Sequence, residues 1–235
     1  ELYIDNYRYA ERMRHVNVDK KTFRLLQGFR GEVDDWDWEA ALLYSKATSD
    51  DITSNRVSNT LLKEALRDPT PAAYNPFSAG VDSNVERILV DVYRKGSSSL
   101  AMMDFKVSNG NFMDLAAGPM GVMFGIEVRR EEMVDDRDPR LDGTIVYVDY
   151  ENDTYPEIGD VVNSSPTGDV RGERNTLSLF TEAQIPLSER INAQLALRYE
   201  NMSDVEDSLV SKLAIGWEIS DSVLFRASAS TSFRA

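Results

Sequence analysis

The feature that most constrains this chain is a sustained period-two alternation of apolar and polar side chains through its last third. Leu177, Leu179, Ala183 and Ile185 alternate with Thr176, Ser178, Glu182 and Gln184, and Ile191, Ala193, Leu195, Leu197 and Tyr199 with Asn192, Gln194, Arg198 and Glu200. Leu209, Leu213, Ile215, Trp217 and Ile219 stand against Lys212, Gly216 and Glu218. In the last such segment Val223, Phe225, Ala227 and Phe233 stand against Arg226, Ser228, Ser230, Ser232 and Arg234. Successive side chains of a strand point to opposite faces, so each segment reads as a strand with one apolar and one polar face. The links at 188–190 and 220–222 are short and polar, as tight hairpins require.

Earlier segments repeat the design. Phe23, Leu25 and Phe29 oppose Arg24 and Arg30, while Trp36, Trp38, Ala40, Leu42 and Tyr44 oppose Asp37, Glu39 and Ser45, with Asp34 and Asp35 as the turn between them. Ala101, Met103, Phe105 and Val107 oppose Asp104, Lys106 and Ser108, and Val122, Phe124, Ile126 and Val128 oppose Gly121, Gly125, Glu127 and Arg129. Tyr7 and Tyr9 against Arg8 and Arg12 add an opening strand, for about nine strands near the roughly 9–11 residues of a tilted membrane strand.

Connection lengths give an independent indication. Tight links (34–35, 188–190, 220–222) alternate with longer ones (15–20, 48–96, 131–170, 202–207), the pattern of a barrel with short turns at one end and long loops at the other. The link at 109–119 is longer than that pattern wants. Trp36, Trp38, Trp217 and Phe225 lie beside the tight turns and Tyr44, Tyr199 and Phe233 toward the opposite ends, like two interfacial girdles, although aromatic residues are also simply frequent in strands. The longest connection carries two short helices. Val57, Leu61, Leu62, Ala65 and Leu66 share a face before the stop Asp68–Pro69. Ser83 and Glu86 have capping-box spacing ahead of Val85, Ile88, Leu89 and Val92. A ligand-binding loop and simple packing against neighbouring loops account for these helices equally well.

Composition removes other classes. No apolar run approaches the roughly 18–20 residues of a membrane helix, and a mean hydropathy of −0.40 does not disfavour a barrel, whose strands are apolar only at every second position. Forty acidic against 26 basic residues, a net charge of −14, argue against nucleic acid. With no cysteine there is no disulfide framework, thiolate zinc site or Cys nucleophile, which suits an oxidising cell envelope. Residues 1–6 carry no basic stretch followed by an apolar core, so the chain reads as starting after any secretory signal, as a trimmed stretch.

The stretch Ser230, Thr231, Ser232, Phe233, Arg234, Ala235 is similar to a strand-ending motif of TonB-dependent receptors, though the proline that usually follows is missing. Residues 35–45 (DWDWEAALLYS), 57–62 (VSNTLL), 74–77 (YNPF), 125–130 (GIEVRR), 135–143 (DDRDPRLDG), 164–166 and 195–200 (LALRYE) resemble the same family in the same order. The resemblance implies a stretch of the barrel wall and extracellular loops of a Gram-negative outer-membrane importer for a siderophore, cofactor or carbohydrate. Such a barrel has about 22 strands around a plug and is powered by an inner-membrane TonB-type partner. It implies residues 1–235 as one partial, antiparallel up-and-down barrel domain, with the bilayer, the plug, the remaining strands, the energy-coupling protein and a small-molecule nutrient as partners. Neither a plug, nor an energy-coupling segment, nor a closing aromatic strand is evident, so the stretch alone is not expected to transport.

Enzymatic chemistry finds no constellation, and the chain reads as a non-enzyme without cofactor. His15 is the only histidine, which removes Ser-His-Asp triads and multi-histidine metal sites. Asp135, Asp136, Asp138, Asp142 and Gly143 miss the EF-hand spacing and enclose Arg137 and Arg140, as a solvated loop held by Asp–Arg contacts would. Glu127, Arg129, Glu182, Arg198, Lys212, Glu218 and Arg226 are expected to face the lumen, with no ranking among them, while Leu195 and Leu197 face lipid. A secreted β-sandwich used for binding or adhesion also alternates apolar and polar residues; strand length and alternating turn length favour the barrel.

Overall fold

In a computed structural model, described for residues 7–149 and 151–233, the chain is an antiparallel meander. Its long strands are β1 (His15–Val33), β2 (Trp36–Val57), β3 (Leu89–Leu115), β4 (Gly118–Arg137), β7 (Val170–Ser188), β8 (Ile191–Met202), β9 (Ser208–Ser220) and β10 (Val223–Ser230). They form one eight-stranded sheet in the order β1-β2-β3-β4-β7-β8-β9-β10. Two short strands, β5 (Val146–Val148) and β6 (Thr154–Gly159), form a separate hairpin. The sheet does not close: among the described residues β1 and β10 are its edges.

Each of the four hairpins at one end turns in two residues, at 34–35, 116–117, 189–190 and 221–222. The first puts Asp34 at φ 53, a left-handed conformation that Asp tolerates, and the second is followed by Gly118 at φ 128, where a side chain would be strained. The link expected at 109–119 therefore does not exist; both strands run on to a tight turn. Phe112 is held in the strand by its ring, 6.1 Å from that of Trp36. With this correction the alternation of short and long connections has no exception.

Three other expectations change. Tyr7 and Tyr9 do not open the sheet; the first strand begins at His15, so 15–20 is strand rather than link. The Tyr7 hydroxyl instead hydrogen-bonds that of Tyr74 at 2.8 Å, and both rings gain burial that a sheet edge would not give. The first helix forms as α1 (Asn59–Arg67), capped by Ser58, whose hydroxyl accepts from the Leu61 amide at 3.2 Å, and stopped at Asp68. The second is only a 3₁₀ turn, Val85–Ile88, entered through Asn84 in the left-handed region without a side-chain cap. From Leu89 the β-branched Val90 and Val92 belong to β3, because hydrogen bonding along the sheet outweighs the helical periodicity. Finally, strands of 19 to 27 residues in β1–β4 and β7 far exceed the length a membrane crossing needs, so much of what reads as long loops is strand extension.

The chain divides into two compact units, and five strands contribute residues to both. One comprises the described residues up to Thr22, with Ala47–Ser97 and Met133–Arg171; the other comprises Phe23–Lys46, Ser98–Glu132 and the described residues from Gly172 on. The first has a core of soluble type: Val57, Ala65, Tyr74, Val85 and Ile88, with Leu62, Leu89, Val162, Tyr7 and Tyr9 packed against it. Beside that core Asp160 is fully buried. Its carboxylate accepts from the Ser58 hydroxyl at 2.9 Å, from the Thr60 amide at 3.1 Å and from the Arg140 guanidinium. Burial works to raise its pKa, but the hydrogen bonds from Thr60, Arg140 and Ser58 outweigh burial and hold it below the ordinary carboxylate value.

A depressed folded pKa contributes stability that is present above the unfolded value and is lost as pH falls through the folded one. The unit should therefore resist pepsin at pH 4.5 and open to cleavage within 59–88 and 138–169 only below 3.8, the ordinary aspartate value. Cleavage that already rises between pH 6 and 4.5 would remove Asp160 as the controlling group.

Candidate functional site on the polar face

In an antiparallel pair directly opposed residues share a face, so the registers of β7 to β10 sort their side chains into two faces. One face carries Leu179↔Tyr199, Ala183↔Leu195, Leu195↔Leu213, Ala193↔Ile215 and Trp217↔Phe225. The other carries Ser178↔Glu200, Phe180↔Arg198, Gln184↔Gln194, Asn192↔Gly216 and Gly216↔Arg226. The apolar face is not covered as it would be in a water-soluble sheet. Leu195 is 45%, Leu213 50%, Trp217 45% and Phe225 49% exposed, whereas Ser178 is fully and Thr176 almost fully buried. A contiguous bare apolar surface of this kind has to meet lipid or protein. A β-sandwich would have buried it against a second sheet.

Aromatic residues bound this surface. Trp217 opposes Ile191, and Tyr199 opposes Leu209, in rows eight residues apart. Trp36 and Tyr44 have the same spacing, about 26 Å along a strand. The exposed apolar band of an outer-membrane barrel is about 25 Å tall between its aromatic girdles. In β2 thirteen further residues follow Tyr44 before the strand ends at Val57.

On the polar face the centre is Arg198. Its guanidinium donates to Glu200 at 2.7 Å, to the Ser178 hydroxyl at 2.9 Å and to Glu127 at 3.3 Å, and it lies over the Phe180 ring, 5.3 Å from the centroid. Charge-assisted bonds on one side and a cation–π contact on the other fix its plane. Arg129 joins the group through Glu127 at 4.0 Å and Glu131 at 3.3 Å. Phe180 can lie flat because β4 carries Gly125 beneath it: a Cβ there would stand 2.2 Å from the ring. Gly31 makes the same kind of slot for Trp38, at 2.8 Å. Glycine in a strand weakens it unless something fills the space, and here a neighbouring ring does.

Toward the two-residue turns, the same face bounds a cavity of about 960 Å³ lined by Asp37, Asn109, Glu182, Gln194, Lys212 and Arg226 among others. Gln194 donates to Glu182 at 2.5 Å. Of the seven side chains expected on this face, Glu127, Arg129 and Arg198 thus meet in one cluster, and Glu182, Lys212 and Arg226 line the cavity. Glu218 stands opposite Leu224 beside the last turn, apart from both. Phe180 was not legible as a member, being apolar; its even position between Ser178 and Glu182 was the available signal.

Outside this face, Asp135 receives Arg94 at 2.7 Å and Arg137 at 3.0 Å, Asp138 caps the short helix α2 (Pro139–Asp142) by accepting from the Arg140 amide at 2.9 Å, and Asp142 accepts from the Thr144 amide at 2.6 Å. These acids are engaged by arginine and backbone, as the sequence suggests. His15 is exposed at the start of β1. Among the described residues no three His, Asp or Glu side chains converge as metal ligands.

The sequence profile described as TonB dependent receptor-like, beta-barrel, matches residues 2–235. No curated protein matches the chain.

Gly125→Ala should force Phe180 out of its slot and lower stability of the full-length barrel by about 1–3 kcal/mol. Adding Phe180→Leu should recover most of that loss. Urea midpoints of the single and double variants measure both effects, and additive losses would mean the ring and the glycine are not coupled.

Proposed function

Because the chain belongs to the TonB dependent receptor-like β-barrel family, we propose that it supplies barrel wall and extracellular loops to an active importer of a scarce nutrient, a siderophore, cofactor or carbohydrate. The family is one of outer-membrane transport receptors, not of enzymes. In this reading residues 1–235 are one stretch of wall. The apolar face, Leu195 and Leu197 included, meets lipid; the polar face with Arg198 and the cavity beside Lys212 and Arg226 meets the lumen, its plug and the passing nutrient. The two-residue turns lie on the periplasmic side and the unit containing α1 lies outside. Energy comes from an inner-membrane TonB-type protein acting through the parent receptor in a Gram-negative cell.

The observation that carries the reading is the exposed row of large apolar side chains on one face, while Ser178 and Thr176 on the other are buried. Burying an apolar side chain of this size is worth about 1.5–3 kcal/mol, so a row of them on each strand supplies a large driving force for lipid. The same row would be a liability in water.

Leu195→Arg, Leu197→Arg and Ile215→Arg in the full-length receptor should each cost about 2–4 kcal/mol in the bilayer and block its assembly, read as loss of the folded band in unheated gels. Asn192→Lys and Gln194→Lys should assemble normally; equal tolerance on both faces would sink the lipid-facing assignment.

Transport has its own test. Cells carrying the full-length receptor should accumulate one of the three nutrient classes and stop when the inner-membrane coupling protein is deleted. Accumulation that persists without it would refute energy-coupled import while leaving the wall assignment intact.

A further inference from the structure

Three segments far apart in sequence meet in the first unit. These are the strand-less stretch 7–14, the α1 connection 58–88 and the β5–β6 connection 138–169. Connections that act as separate flexible loops would be tied by exposed contacts only. Between the two long connections the ties are buried or half-buried and largely backbone-mediated, whereas 7–14 is held by one half-buried tyrosine pair and by exposed side-chain contacts. The Asn59 amide donates to the Asp160 carbonyl at 2.5 Å, the Val162 amide to Val57 at 2.9 Å and the Ser58 amide to Ile88 at 2.9 Å. Lys63 donates to the carbonyls of Val148 and Asp149, both at 2.8 Å. The stretch 7–14 is tied in as well. Tyr7 reaches Tyr74, Arg12 pairs with Glu86 at 2.5 Å, and Asn55 donates to the Met13 carbonyl at 2.8 Å.

Asp160 is where the ties between the two long connections converge. It is fully buried, its partners come from both connections, and among the described residues the cation paired with it is Arg140. A buried carboxylate that loses its cation is strongly destabilising, so neither connection can leave the other without a large cost.

We infer that these three segments are one cooperative unit, held by the Ser58–Asp160–Arg140 contact, which opens and closes as a whole. The inference rests on contacts within the chain and holds whatever the receptor imports. Its consequence is mechanical: displacing one segment displaces all three, so opening of this unit is two-state rather than graded.

Amide exchange on the full-length receptor tests it, with Asp160→Asn, which keeps the side chain's size but removes the charge facing Arg140. Exchange in Asn59–Arg67, in 140–145 and in 7–14 should accelerate together, on the order of 100-fold, while Ile191–Met202 keeps its rates. Acceleration confined to 159–164 would overturn the inference. If that variant does not assemble, Tyr74→Phe decides, since its hydroxyl touches Tyr7 and Glu11 but nothing in 138–169. Faster exchange in 140–145 supports one unit, and faster exchange in 7–14 and 59–75 alone overturns it.

Discussion

A backbone that crosses hydrocarbon finds no water to satisfy its amides, so each N–H and C=O must bond to a neighbouring strand. Much of the molecule follows from that constraint. It favours a meander in which consecutive strands pair, with two unlike faces on every strand; among the described residues β1 and β10 are the edges of the sheet. In the proposed reading, lipid on one face and an aqueous lumen on the other account for the exposure of Leu213 and Trp217 and the burial of Ser178.

The polar face is not simply wet. Arg198 has charge-assisted partners on one side and an aromatic ring on the other, and the ring is seated by the absence of a side chain at Gly125. A cation placed this way does not need bulk water to balance it, which lets charged residues line a wall without loosening it. Further along the same face amides, acids and cations line the cavity, among them Gln194, Glu182, Lys212 and Arg226.

The connections obey different physics. Around α1 the chain builds an apolar core from Ala65, Tyr74 and Ile88 and an ion pair whose carboxylate is buried, as a small water-soluble domain would. Sequence periodicity reads such a region poorly. Val85, Ile88, Leu89 and Val92 fit a helix, yet hydrogen bonding along the sheet takes the chain into β3 after one 3₁₀ turn. Tyr7 and Tyr9 fit a strand, yet the loop core takes their rings.

By itself the sequence determined the existence of the eight long strands (though not their ends), their two faces and, through the ordered stretches from 35–45 to 195–200, the family. A period of two is local and survives any arrangement of the strands, so Leu195 and Gln194 could be assigned to opposite faces before any contact was seen. It also brought Glu127, Arg129 and Arg198 onto one face, though not into one cluster, because clustering depends on register between strands. Only the tertiary structure decided where β3 and β4 turn, that Phe180 belongs over Gly125, and that Ser58 and Arg140 meet at Asp160. The last two are contacts between residues tens of positions apart, and their free energy comes from packing and desolvation that no local pattern encodes.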